Sequence, residues 1–119
     1  MEIRFYLKTL VESMGHRPVL SKNGVDGLLK LKEISPDLVI LDVMMPKKGG
    51  SLVYRELMTD KKFRDLPLII FSGVNRDAFL HYLKMLNLSP DRTIPEPKYY
   101  IEKTVDPEYL KQVINRMLV

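Results

Sequence analysis

Four consecutive apolar residues, Leu38-Val39-Ile40-Leu41, run directly into an aspartate, Asp42. A run of this kind with no polar alternation suits a strand covered on both faces, and in a small domain that means a parallel sheet lying between helices. A second run, Leu68 to Phe71, follows Pro67, and a third covers Tyr99, Tyr100 and Ile101. Around them the apolar residues recur three and four positions apart, the period of one helix face. This switching of period makes the chain an α/β protein with a parallel sheet.

The remaining elements follow from local signals. Ile3, Leu7, Leu10, Val11 and Met14 mark a first helix, with Gly15 at the position where a left-handed residue ends it. Arg17 to Ser21 reads as a short extended piece, and Pro18 confines it to a sheet edge or a strand start. Asn23-Gly24 reads as a turn before a helix carrying Val25, Leu28, Leu29 and Ile34. Pro46 to Gly50 is a loop, and helices are predicted over about Ser51 to Asp60 and Arg76 to Leu86. Asn87 to Pro97 is an irregular connection. Asp106-Pro107-Glu108 places a cap, a proline and an early acid at the start of the last helix. The predicted order is α-β-α-β-α-β-α-β-α, in a single domain over 1–119, because 119 residues enclose one core.

Composition removes several function classes. The absence of cysteine excludes disulfides, thiolate metal sites and a thiol nucleophile. Glu2, Arg4, Lys8 and Glu12 interrupt the first residues, so no signal-peptide core is read there, and no apolar stretch is long enough to span a membrane. A cytoplasmic location is expected. The net charge of +4 is spread along the chain, with Lys47-Lys48 and Lys61-Lys62 as the short basic pairs, so direct nucleic-acid binding is not expected. His16 and His81 lack partners at metal-ligand spacing.

In a parallel sheet, functional groups collect beyond the carboxyl ends of the strands. Asp42 and Ser72 stand at two such ends, and Lys103 lies two residues past Ile101. A carboxylate, a hydroxyl and an ammonium around one small volume would suit a phosphoryl group. Taken singly, Asp42 could cap a loop, Ser72 could stabilise a turn, Lys103 could be solvated and Tyr100 could be plain core.

The segment Leu38 to Pro46, followed by Gly50, resembles the phosphorylation loop of the receiver domains of bacterial two-component response regulators. The resemblance covers essentially the whole chain and implies a flavodoxin-like sheet with helices on both faces. It implies Asp42 as phosphoacceptor, Ser72 and Lys103 as phosphoryl-binding residues, and Tyr100 with Ser72 as the switch. It also implies Mg²⁺ held by Asp42 and the Met44 carbonyl, and transfer from a sensor histidine kinase or phosphotransfer protein. A downstream protein partner and a homodimer complete the expected partners. A signalling or interaction domain is expected rather than a turnover enzyme, because no nucleotide-binding loop or second catalytic carboxylate accompanies Asp42.

Receivers begin with a strand ending in two acids, and Met1 aligns with the start of the helix after it. The expected sheet is therefore reduced to about four strands, either rearranged so that the Val19 strand pairs directly with the Val39 strand, or completed by a second chain, unless the sequence is a truncated receiver. Without the acidic pair, Mg²⁺ is expected to bind weakly or not at all, since the ion takes near-octahedral oxygen ligation with carboxylate support. Glu2 reads as an acid complementing a helix start. Thr104 follows Lys103 where the family commonly has a cis proline, and Gly49 replaces a common polar residue. A phosphorylation-independent interaction module is the alternative reading.

Overall fold

The computed structural model describes residues 3–21, 23–42, 50–86, 94–103 and 106–118. In chain order the elements are α1 (Ile3–Ser13), α2 (Gly24–Glu33), β1 (Val39–Asp42), α3 (Gly50–Thr59), β2 (Leu68–Ser72), α4 (Arg76–Leu86), β3 (Tyr99–Glu102) and α5 (Pro107–Leu118). The strands form one parallel sheet in the order β1-β2-β3. Val39 faces Leu68 and Asp42 faces Phe71, while Phe71 faces Ile101 and Ser72 faces Glu102.

Strand geometry sends alternate side chains to opposite faces, and two cores result. On one side, Ile69, Phe71 and Ile101 pack with Leu10 of α1 and with Leu110, Val113 and Ile114 of α5. On the other, Leu68 and Ile70 pack with Val53, Tyr54 and Leu57 of α3 and with Phe79 and Leu83 of α4. All five residues of β2 are buried, as a continuous apolar run requires when both faces are covered. Every residue of β1 is half-buried, because no strand flanks its outer edge among the described residues.

Local signals explain the helix boundaries. Gly15 has φ +88°, and its amide donates to the Glu12 carbonyl while His16 donates to that of Val11, closing α1 with the paired bonds of a left-handed terminus. Asn23 is the N-cap of α2 rather than part of a free turn, since its side chain accepts from the Asp26 amide at 2.9 Å. Asp106 caps α5 through the Glu108 amide at 3.1 Å, as its place before Pro107 predicts. Ile94 is buried, and the Tyr54 hydroxyl donates to the Pro95 carbonyl at 2.6 Å, which anchors the connection into β3.

The expectation of about four strands is corrected to three among the described residues. Arg17 to Ser21 forms no strand and does not cross to pair with Val39. Pro18 lacks a donor, and the carbonyls of Leu20 and Ser21 accept from the Lys30 ammonium and the Arg4 guanidinium instead of from a neighbouring strand. Val19 is left exposed.

Phe79 is fully buried, with its ring centroid 5.8 Å from that of Tyr54 and 5.3 Å from that of Tyr100. Phe79→Ala should therefore cost about 3–5 kcal/mol in urea unfolding. Exposed Met85→Ala should stay within about 0.5 kcal/mol of the parent.

Candidate functional site

The site lies at the carboxyl ends of the three strands. β1 delivers Asp42 at its last position, β2 delivers Ser72 at its own, and Lys103 follows β3 directly. The Lys103 amide donates to the Ser72 carbonyl at 2.8 Å, so the β2–β3 ladder fixes the backbone from which the lysine side chain starts.

Lys103 Nζ stands 2.9 Å from Asp42 Oδ1. The two residues belong to strands on either side of β2, about 9–10 Å apart in backbone terms, so the lysine must bridge the end of the middle strand. Gly73 lies beneath its path: a Cβ there would come within 3.7 Å of Lys103 Cδ, ordinary van der Waals contact. Asp42 Oδ1 is buried and takes no hydrogen bond, so the ammonium sits beside it as a counter-charge without hydrogen-bond alignment. The sheltered oxygen of the carboxylate is thus held by charge pairing with Lys103.

Ser72 and Tyr100 occupy the opposite face parity. Ser72 is fully buried, and its oxygen accepts from the Val74 amide at 2.9 Å. The Tyr100 hydroxyl donates to the Val74 carbonyl at 2.6 Å, so Ser72 and Tyr100 both bond the Val74 peptide groups. Burial raises the Tyr100 phenol above its ordinary value, the neighbouring Ser72 hydroxyl opposes that rise, and the charge of Glu102 adds to it. Burial also raises Tyr54, with help from Glu96.

The residues singled out from sequence therefore fall into two groups. Asp42 and Lys103 meet in an ion pair, while Ser72 and Tyr100 meet each other through Val74. Val74 was not legible as a participant, because it contributes backbone atoms alone. Asn75 was also missed: its side chain caps α4 by accepting from the Asp77 and Ala78 amides, and an Asx residue just before a helical period was the available signal.

Met44, Glu2, Gly49 and Thr104 lie outside the described residues. The sheltered Asp42 oxygen has the hard character Mg²⁺ prefers. However, no group of three His, Cys, Asp or Glu side chains that could hold a metal occurs among the described residues, and the Lys103 ammonium opposes a second cation beside it. The described donors do not by themselves fit a Mg²⁺ site.

Two predictions arise. In a cycle of Asp42→Ala, Lys103→Met and the double variant, Lys103→Met should cost roughly 1–3 kcal/mol by stranding a sheltered carboxylate oxygen. A coupling of at least about 0.5 kcal/mol should appear between the two residues in denaturant unfolding. In a spectrophotometric pH titration, Tyr54→Phe and Tyr100→Phe should each remove a component that ionises above the ordinary phenol value. A phenol raised by folding stabilises the fold fully below its ordinary value of 10.0, and that contribution is lost as pH climbs through the raised value. Tyr100→Phe should reduce this alkaline loss.

The family model of the response regulator receiver domain matches residues 1–115. Protein PilH of Pseudomonas aeruginosa is 27% identical over 114 residues, which cover 96% of this chain and 87% of that protein. The transcriptional regulatory protein AfsQ1 of Streptomyces coelicolor is 37% identical over 75 residues, covering 63% of this chain and 32% of that protein, so the chain matches only about a third of this longer relative. Among solved structures, a receiver domain of a signal transduction histidine kinase from Syntrophus aciditrophicus superposes with a TM-score of 0.76 at 23% identity, over 97% of this chain and 80% of that one. Vibrio cholerae chemotaxis protein CheY4 gives 0.75 at 18% identity, over 98% and 89%. These superpositions establish a flavodoxin-like receiver fold.

Proposed function

The chain belongs to the response regulator receiver domain family, and from that premise we propose that Asp42 is the phosphoacceptor of a signalling domain, with Lys103 as its charge partner. The observation that carries this reading is the Asp42–Lys103 ion pair at 2.9 Å, made by the sheltered oxygen of the carboxylate. In the proposed transfer, an Asp42 oxygen attacks the phosphorus of a phosphohistidine on a kinase or phosphotransfer protein. The new O–P bond forms as the P–N bond breaks, and the departing imidazole nitrogen is left to take a proton from solvent. Lys103 neutralises charge on the phosphoryl oxygens throughout, which is most of what a protein must supply in such a reaction. Receiver domains generally use Mg²⁺ for this step, and among the described residues Lys103 is the cation that the chain itself brings to it.

The product would carry about −1.5 to −2 charges at a position now balanced by one lysine. Ser72 and Tyr100 are the proposed readers of that change, because they share hydrogen bonds with the backbone immediately after β2. The reading assigns signalling through protein contacts, no turnover chemistry and a cytoplasmic setting, with a downstream protein as the recipient. A second reading, contacts independent of phosphorylation, is favoured by the same ion pair: the acceptor is already neutralised in the unmodified chain.

Incubation with acetyl phosphate, with and without Mg²⁺, followed by intact-mass measurement, separates the two. A slow gain of one phosphoryl group, absent in Asp42→Asn and at least tenfold smaller in Lys103→Met, is expected; that factor corresponds to about 1.4 kcal/mol in the barrier. An undiminished gain in Asp42→Asn would remove Asp42 from its role. No gain under either condition would leave the phosphorylation-independent reading.

A further inference from the structure

We infer that Tyr6 of α1, acting through Phe71 of β2, is a positioning residue for the Asp42–Lys103 pair. The two stacked rings form a dry floor that keeps Lys103 stretched across the end of the middle strand. This rests on the phosphoacceptor reading for its effect on transfer, whereas the placement of the ammonium can be read with no phosphoryl donor present. The register brings the groups together. Asp42 stands level with Phe71, and Phe71 with Ile101, on the face packed against α1 and α5. Phe71 therefore lies between the strand that carries the acid and the strand that carries the lysine. Lys103 starts two residues beyond Ile101, passes Gly73 and ends at Asp42, level with Phe71. Phe71 and Ile101 are both buried, so the lysine stem has hydrocarbon rather than water beneath it.

Tyr6 backs this floor from the helix layer. Its ring stacks on Phe71 with centroids 6.4 Å apart and planes 22° apart. The direction of α1 puts that contact at the functional end of the sheet. His16, just past the end of α1, lines one cavity with Asp37, just ahead of β1, so the helix runs against the strands. Its first turns consequently lie at the carboxyl rim, where Tyr6 is half-buried one turn before buried Leu10. No strand flanks the outer edge of β1 among the described residues, yet Asp42 Oδ1 is buried. Shelter on this face therefore comes from the helix layer and from Phe71 beside the acid. A lysine carries its charge on a flexible four-carbon stem, and its ammonium is strongly hydrated. It stays extended where a packed floor makes other rotamers costly, and its pull on the carboxylate weakens if water enters beneath it.

NMR of the full chain reads the ammonium directly. The Lys103 ammonium signal, identified by its loss in Lys103→Met, should move in Tyr6→Leu toward its position in Asp42→Asn. It should stay at the parent position in Tyr6→Phe, which keeps the ring, and in Val53→Ala, which thins the opposite core alone. Tyr6→Met repeats the test if Tyr6→Leu folds poorly by circular dichroism. With acetyl phosphate, Tyr6→Leu should slow the gain in mass about three- to tenfold. The loss of about tenfold that Lys103→Met causes in the parent should shrink below about threefold on the Tyr6→Leu background, because the lysine there is already misplaced. A merely structural ring would leave the two losses multiplicative. Multiplicative losses overturn the proposal, and so does an ammonium signal that keeps the parent position in both Tyr6→Leu and Tyr6→Met. If the parent accepts no phosphate, the phosphoacceptor reading fails and the ammonium signal alone decides the role of Tyr6.

Discussion

Complete burial of β2 is the constraint on which the other features depend. Leu68, Ile69, Ile70 and Phe71 divide alternately between two cores, so helices are needed on both faces and neither layer can be lost without exposing the strand. Each such side chain contributes about 1.5–3 kcal/mol when taken from water, against a net domain stability of about 5–15 kcal/mol. The same strand carries Ser72 at its end and Gly73 just beyond, so the element that secures the fold also fixes the middle of the site.

What was readable in the sequence was what depends on period and on local caps. Unbroken apolar runs located β1, β2 and β3, and residue chemistry placed the start of α5 and the end of α1. The Arg17 to Ser21 segment was misread because a strand is a relationship between two chains of peptide groups, and composition reports on one. Here the Leu20 and Ser21 carbonyls are taken by Lys30 and Arg4, partners that no alternation pattern reveals. The site was readable as a set of residues and not as a set of contacts. Asp42 and Lys103 pair as their chemistry suggests, whereas Ser72 and Tyr100 are joined through the backbone of Val74, whose side chain plays no part.

The alternation of strand faces divides the rim into two compartments. Asp42 and Lys103 carry the parity of the core shared by α1 and α5, and Lys103 passes over Gly73 to reach its partner. Ser72 and Tyr100 carry the parity of the core shared by α3 and α4, where Tyr100 contacts Phe79. Charge on one side therefore has no direct side-chain route to the phenol on the other.

The two compartments meet in the backbone of Ser72, Gly73 and Val74. The Ser72 carbonyl holds the Lys103 amide on one side of this segment, and the Val74 amide and carbonyl hold Ser72 and Tyr100 on the other. A change that draws Lys103 further toward Asp42 pulls on a segment whose next peptide groups are already bonded to Ser72 and Tyr100. A bulky side chain at Gly73 would lie against Lys103 Cδ, while a change in Val74 side chain would leave every one of these bonds intact. Sensitivity to substitution should thus follow backbone hydrogen bonding and clearance at Gly73, and side-chain character at Val74 should matter little. This is the reverse of a site wired through side chains, and it follows from the sheet standing between the Asp42 carboxylate and the phenol.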